Sequence, residues 1–328
     1  MMKKLLSPLK ARNIELKNRL VLPPMATAKA EEDGAMSNDI LSYYDEKTKD
    51  GILSLVIVEH SFISEEGRAN KRQMSVGSDN MIEGLKNLRE TIHSNGSLAV
   101  MQINHAGMYA RQLDETLFPA GPSKSEEKEV RVLQKEDLPK IIADFAEASL
   151  RCKEAGFDGV EIHSAHGYLL NQFYSPLINK RTDEYGGSLL NRIRLHVEII
   201  RAVRKAVGPD YPVFIRLGAS DYKEGGTTIE DSVTAAKIFE KEGVDLLDIS
   251  GGFCGYTHPD VTRQGYFSEI TEAMKKEVSI PVLLTGGITD LHAAEDLLVN
   301  DQTDLIGIGR PIFKDSDFLK NALDSFNE

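Results

Sequence analysis

The sequence predicts a single-domain (β/α)8 barrel, an α/β fold, and three observations carry that expectation. Eight short apolar runs alternate with amphipathic stretches along the whole chain. The runs show no polar alternation, as parallel strands buried on both faces do. Nearly every run ends in polar, glycine or aromatic residues, the pattern of a barrel whose chemistry sits at its strand C-termini. A chain of 328 residues suits such a barrel with extra loops. An open doubly wound sheet is the alternative for the same alternation.

Taken in order, the strand-like runs are Leu20–Leu22, Leu53–Val58, Leu98–Ile103, Gly159–His163, Val213–Leu217, Leu246–Ser250, Val282–Thr285 and Leu305–Gly309. Between them lie segments with helical period and capping residues. Ser37 caps a helix over Asp39–Lys49. Asp137 opens one that runs to Ala155, where Gly156 stops it. A helix over Asn191–Val207 follows Ser188 and ends at Gly208-Pro209. Thr228 or Asp231 opens the next, which Gly243 stops, and Asp290 opens another that ends near Asn300. No linker or repeat divides the chain. The longest polar insertion, Asp114–Glu136, is expected as a loop over the active face.

Composition narrows the function. With 41% hydrophobic residues and a formal net charge of −12, the chain reads as a soluble globule with a buried core and without a nucleic-acid backbone as partner. Cys152 and Cys254 match neither a zinc spacing nor a disulfide framework, and no cysteine run exists to hold an iron–sulfur cluster. Met1 to Leu6 lacks a signal-peptide apolar core, and no stretch reaches the roughly 18 apolar residues of a membrane span. A cytoplasmic, membrane-free location is the expectation, with a homo-oligomer left open.

Three constellations at the strand ends carry chemistry. Gly286, Gly287 and Gly309 make small turns after the last two strands, where backbone N–H groups approach an anion closely, and Arg310 adds a charge-assisted bond to a phosphate. The competing reading is that these glycines only shape tight turns. Arg216 ends the fifth strand and Gln102 the third; a cation and a donor–acceptor amide suit the pyrimidine edge of a flavin, although a structural ion pair explains the arginine equally simply. His163-x-x-His166-x-Tyr168 closes the fourth strand. Two imidazoles polarise a carbonyl or nitro oxygen, and a nearby tyrosine delivers a proton to carbon. A metal site or a buried structural histidine pair competes, but further ligands are not evident at neighbouring strand ends.

The segment from Glu161-Ile162-His163-Ser164-Ala165-His166-Gly167-Tyr168 through Asn171-Gln172-Phe173, Arg181-Thr182-Asp183-Glu184-Tyr185-Gly186-Gly187-Ser188 and Asn191-Arg192 resembles the old yellow enzyme family of FMN-dependent ene-reductases. Asn18-Arg19, Pro24-Met25, Glu66-Gly67-Arg68, Gln102 with His105-Ala106-Gly107, and Gly307-Ile308-Gly309-Arg310 extend the similarity over essentially the whole chain. The resemblance implies bound FMN, NADPH or NADH as electron donor, and hydride transfer from flavin N5 to the activated C=C bond of a small-molecule acceptor. It implies that His163 and His166 hold the acceptor oxygen and that Tyr168 protonates the α-carbon. Gln102 and Arg216 would contact the flavin ring, backbone groups of Pro24, Met25 and Ala26 would line it, and Gly286, Gly287, Gly309 and Arg310 would hold the phosphate.

The chain also departs from the family pattern. Ala26 stands where many members place a cysteine or threonine that tunes the flavin, and whether Thr27 substitutes depends on which way it points. Ala28 replaces a tyrosine of one branch, and Met108 an arginine, with Arg111 nearby. The C-terminus lacks the arginine-bearing tail that some relatives insert into a neighbour's site. The chain stops at the expected eighth helix, without the cluster and nucleotide-binding domains of longer relatives, so electrons are expected directly from NAD(P)H or a separate reductase. Two other functions remain: an FMN barrel dehydrogenase of dihydroorotate type, which wants a Cys or Ser base, and a flavin-binding electron-transfer protein without ene-reductase turnover. A Schiff-base aldolase lacks a lysine at any strand end. Asp114–Glu136 and Phe253–Gly265 are the loops expected to set acceptor specificity.

Overall fold

Pairing of Ile306 with Leu20 joins the last strand to the first barrel strand, and eight parallel strands close on themselves. The structure is a computed structural model and describes residues 3–112 and 118–325. A hairpin of β1 (Leu9–Ala11) and β2 (Ile14–Leu16) precedes the barrel strands β3 (Leu20–Leu22), β4 (Leu55–Phe62) and β5 (Leu98–Asn104). A small parallel pair, β6 (Ala120–Gly121) and β7 (Arg131–Val132), stands outside the barrel. The barrel continues with β8 (Gly159–Ser164), β9 (Val213–Gly218), β10 (Leu246–Ser250), β11 (Val282–Thr285) and β12 (Leu305–Gly307), neighbours in space following their order in sequence. The closed sheet settles the architecture in favour of the barrel over the open sheet.

The first three barrel strands are each followed by a helix: α1 (Asn38–Thr48), α2 (Ile82–Ser94) and α3 (Leu138–Glu154). Three follow β8, namely α4 (Leu169–Tyr174), α5 (Leu189–Arg192) and α6 (Arg194–Val207). Then come α7 (Ile229–Lys241), α8 (Ser268–Lys275) and α9 (Leu291–Val299), with α10 (Arg310–Lys314) and α11 (Phe318–Asp324) after β12. Ser37 Oγ accepts from Ile40 N at 3.1 Å, Thr228 Oγ1 from Asp231 N at 3.2 Å, and Asp290 Oδ1 from His292 N at 2.9 Å, so these three caps act as expected.

Two expectations about helices change. Asp137 stands at the opening of α3 as expected but does not cap it with its side chain: the carboxylate accepts from Gln134 N at 2.7 Å, closing a capping box one turn earlier. The expected helix over Asn191–Val207 is two helices that break at Ile193, and the first is capped by Ser188, three residues before Asn191. The N-terminal hairpin is also new. Its strands are three residues each, too short for periodicity to reveal.

That hairpin explains where the core ends and the site begins. Leu9, Ile14 and Leu16 pack with Val21, Leu55, Ile57, Val100, Phe214, Leu246, Leu283 and Leu305 into an apolar plug. Side chains two residues apart on a strand share a face. Two positions beyond Val100, Phe214, Leu246 and Leu283, the inward face therefore presents Gln102, Arg216, Asp248 and Thr285. The barrel interior thus changes from hydrocarbon to polar within one step along its strands. Phe214, 1% exposed, lies within the plug, and Phe214→Ala is expected to lower stability by about 3–5 kcal/mol, read as a lower urea midpoint at unchanged secondary structure.

Candidate active site

A cavity of about 640 Å³ opens at the C-terminal end of the barrel. Every residue expected at the site lines it: Pro24, Met25 and Ala26 after β3, Gln102 on β5, His163, His166 and Tyr168 at the end of β8, Arg216 on β9, Gly286 and Gly287 after β11, and Gly309 and Arg310 after β12. Residues that the sequence reading did not assign to the site also line it, among them His60, Ser250, Tyr256, Tyr266 and Thr285.

The cavity floor is a buried polar layer. Gln102 Nε2 donates to Glu161 Oε1 at 2.7 Å, and Thr285 Oγ1 donates to Asp248 Oδ1 at 3.0 Å. Arg216 Nε lies 3.3 Å from Asp248 Oδ2, an ionic contact without well-directed hydrogen-bond geometry. Burial raises the pKa of Glu161, with the Asp248 charge adding to it and Arg216 opposing. Burial raises that of Asp248 too, against the pull of Arg216 and the Thr285 hydroxyl.

The wall above holds the aromatic cluster. The chain leaves β8 through left-handed backbone at His166 (φ +58°) and Gly167 (φ +78°). Asn171 Oδ1 accepts from Gly167 N at 2.8 Å and Gln172 Nε2 donates to Gly167 O at 2.6 Å, which holds the turn. A side chain at Gly167 would bring its Cβ within 2.7 Å of the Tyr109 ring. The turn sets the His163 ring 5.4 Å from His166 and 5.2 Å from Tyr168 between centroids. His166 Nε2 is 2.8 Å from Ser250 Oγ, while buried His163 Nδ1 has no hydrogen-bond partner among the described residues. Burial drives the pKa of both imidazoles well below the usual histidine value, with neighbouring imidazoles and Arg216 adding to it. Burial also raises the Tyr168 hydroxyl, which stays protonated at neutral pH.

The far end is shaped by glycine. Gly287 adopts φ +68°, and a Cβ there would collide with the Tyr266 ring at 2.3 Å, so only glycine fits at this turn. A Cβ on Gly309 would meet Met25 Sδ at 2.8 Å. Arg310 Nη2 donates to Tyr266 Oη at 3.0 Å, and that hydroxyl donates to Tyr256 O at 2.5 Å.

Several family-divergent positions resolve. Thr27 turns away from the cavity: its Oγ1 donates to Glu59 Oε1 at 2.6 Å and its N to Oε2 at 2.8 Å, so it does not stand in for a side chain at Ala26. Met108 is buried and packs beneath Gly121, and neither Met108 nor Arg111 lines the cavity. Of the two loops expected to set specificity, Phe253–Gly265 contributes Gly255 and Tyr256 to the lining. The described part of the other, residues 118–136, contributes none and packs against the segment after β8, where Lys180 N donates to Ser123 Oγ at 2.8 Å. The beginning of that loop, through residue 117, lies outside the described residues. His60 and Tyr266 carried a weak sequence signal: His60 follows the second strand run by two residues, but one histidine near a strand end is no motif, and Tyr266 sits in a loop without periodicity.

Comparison with known proteins bears on the family and the fold. A profile of the NADH:flavin oxidoreductase / NADH oxidase family matches residues 4–327. An NADPH dehydrogenase of Bacillus cytotoxicus is 38% identical over 320 residues, 97% of this chain and 91% of that protein. An NADH oxidase of Thermoanaerobacter brockii is 37% identical over 320 residues, 94% of this chain and 49% of that protein, so the chain spans about half its length. Among solved structures, a 2-naphthoyl-CoA reductase complex with 2-naphthoyl-CoA superposes with a TM-score of 0.92 at 27% identity, over 99% of this chain and 53% of the other. An old yellow enzyme homologue from Zymomonas mobilis gives 0.85 at 26% identity, over 98% of this chain and 92% of the other. Morphinone reductase in complex with tetrahydroNAD gives 0.84 at 26% identity, over 98% and 90%.

The burial of the imidazoles has a measurable sign. Because desolvation disfavours their charged form, His163 and His166 are expected to stay neutral from pH 8 down to pH 6 in an NMR titration, where a solvent-exposed histidine changes charge near pH 6.5.

Proposed function

The chain belongs to the NADH:flavin oxidoreductase / NADH oxidase family, the old yellow enzyme family, and on that premise we propose that it is an FMN-dependent enzyme that takes electrons from NADPH or NADH and reduces the activated C=C bond of an α,β-unsaturated carbonyl or nitro compound. The observation that carries the reading is the pairing, in one cavity, of two neutral imidazoles and a protonated tyrosine with a glycine-rich end that bears Arg310.

The residues fit the cofactor. Gly286 and Gly287 line the cavity with their backbone, packed too close to Tyr266 for any Cβ, and with Gly309 and the Arg310 guanidinium that end suits a phosphate. Gln102 spends its Nε2 on Glu161 and keeps its carbonyl oxygen for a ring N–H, and Arg216 supplies a positive charge beside it. Pro24, Met25 and Ala26 line the flank of the ring site. When bound, FMN supplies the hydride transfer that links the nicotinamide to the acceptor.

The protein's part is binding, polarisation and the proton. His163 and His166, kept neutral, donate N–H bonds to the acceptor oxygen and draw electron density from the double bond without bringing a charge into the site. Tyr168, 5.2 Å from His163 between ring centroids, delivers its hydroxyl proton to the α-carbon. A dihydroorotate-type reaction gains no support: Cys254 does not line the cavity, and Ser250 is engaged with His166. An electron-transfer role without turnover has no need of a proton donor at Tyr168.

Separating the two half-reactions tests the reading. In anaerobic stopped-flow measurements, Tyr168→Phe is expected to slow reduction of 2-cyclohexenone by about 10²–10⁴-fold while reduction of the flavin by NAD(P)H persists; equal loss in both removes Tyr168 as the proton donor. Arg310→Ala is expected to weaken FMN binding by about 10- to 100-fold, read by flavin fluorescence, through loss of a charge-assisted hydrogen bond.

A further inference from the structure

His60 lines the same cavity and has no part in the roles above. It lies in the bulge of β4, where register with β5 shifts between Val58 and Ser61. The bulge sends Glu59 to Thr27 and leaves the His60 ring 5.3 Å from Tyr168 and 6.2 Å from His163 between centroids.

Hydrogen bonding assigns the tautomer of this ring. The Ala69 N–H can only donate, and it donates to Gln73 Oε1 at 2.7 Å. The other terminal atom of Gln73 is therefore its NH2 group, which donates to His60 O at 3.0 Å and meets His60 Nδ1 at 2.7 Å. Nδ1 is thus the acceptor, and a neutral His60 carries its proton on Nε2. Burial, with the Arg216 charge adding to it, pushes the His60 pKa down to about 4, so the ring is neutral at physiological pH. Gln73 is 1% exposed and saturated by these contacts, so the tautomer is held from behind by a fixed amide. Among the described residues no side chain accepts a hydrogen bond from Nε2, and the ring borders the cavity.

The geometry points to His60 as a third hydrogen-bond donor to the acceptor, one that selects molecules with a carbonyl group on each carbon of the double bond, such as a cyclic unsaturated imide. This rests on the ene-reductase reading and deepens it. The His163–His166 pair takes one carbonyl oxygen and His60 Nε2–H takes the other. An acceptor with a single oxygen leaves a desolvated N–H without a partner, and a site built to satisfy a polar group discriminates against the analogue that lacks it.

The test uses the FMN-loaded protein and two variants, His60→Phe, which keeps a ring and loses the donor, and His60→Gln, which restores an N–H. Dissociation constants of the unreactive succinimide and cyclohexanone are read from the flavin absorbance without nicotinamide, and kcat/KM is measured for maleimide and 2-cyclohexenone. His60→Phe is expected to weaken succinimide binding and maleimide turnover by about tenfold, to leave the one-oxygen compounds within about twofold, and His60→Gln to recover most of the loss. FMN affinity and flavin midpoint potential stay unchanged. Equal losses for both ligand types, no loss, or a shifted potential overturns the assignment, the last because the ring then serves the cofactor. If neither alkene is turned over while succinimide binding still depends on His60, the ene-reductase reading fails and the donor role stands. If both are turned over without dependence on His60, the function stands and this inference falls. Independently, histidine ¹⁵N spectra at pH 7 are expected to show His60 with its proton on Nε2; a proton on Nδ1 overturns the proposal.

Discussion

The contact between Arg216 and Asp248 at the barrel's centre, with Glu161 close by, is the constraint around which the site is arranged. Both carboxyls are fully buried, Asp248 against the guanidinium and Glu161 held by Gln102 within its field, so neither loses its partner cheaply. Breaking a buried pair by deleting one member costs about 3–5 kcal/mol, because the survivor stays behind without compensation. Sheet register brings the groups together: Arg216 faces Asp248 on one side and His163 on the other, and Gln102 faces Glu161. The same layer ends the apolar plug below and floors the cavity above, so core stability and the placement of Gln102 and Arg216 rest on one set of contacts.

The layer also explains the electrostatic character of the wall above it. Burial, with the fixed cation of Arg216 adding to it, makes protonation unfavourable at His60, His163 and His166 alike. Three neutral imidazoles bring hydrogen-bond donors to the cavity and leave the positive charge where Arg216 holds it. Burial raises Tyr168 for the same reason, and a tyrosine that keeps its proton at neutral pH can give it up to carbon during turnover. Charge is placed selectively, with one arginine at the floor and one at the glycine-rich end, and the imidazole wall between them is neutral.

Much of this was legible in the sequence because a barrel maps strand ends onto one face. Once the eight apolar runs were recognised, the residues that follow them converged on one cavity, and the cap residues Ser37, Thr228 and Asp290 acted as their types suggest. What stayed hidden has physical causes. The hairpin of β1 and β2 is too short for a period, and Asp137 opens α3 as expected but with its carboxylate used by a capping box one turn earlier. His60 depends on a bulge, and a bulge has no sequence signature that separates it from regular strand. Which way Thr27 points depends on Glu59, thirty-two residues away, a contact that exists only once β3 and β4 lie side by side.

The central claim is that the cavity at the barrel mouth is built for a flavin with a phosphate tail. Titrating flavin-free protein with FMN and, separately, with riboflavin, and following quenching of flavin fluorescence, tests it directly. The account predicts saturable one-to-one binding of FMN and binding of riboflavin weaker by about 10- to 100-fold, the share expected of a phosphate held by an arginine and backbone amides. Failure to bind FMN, or equal affinity for the two flavins, would contradict it.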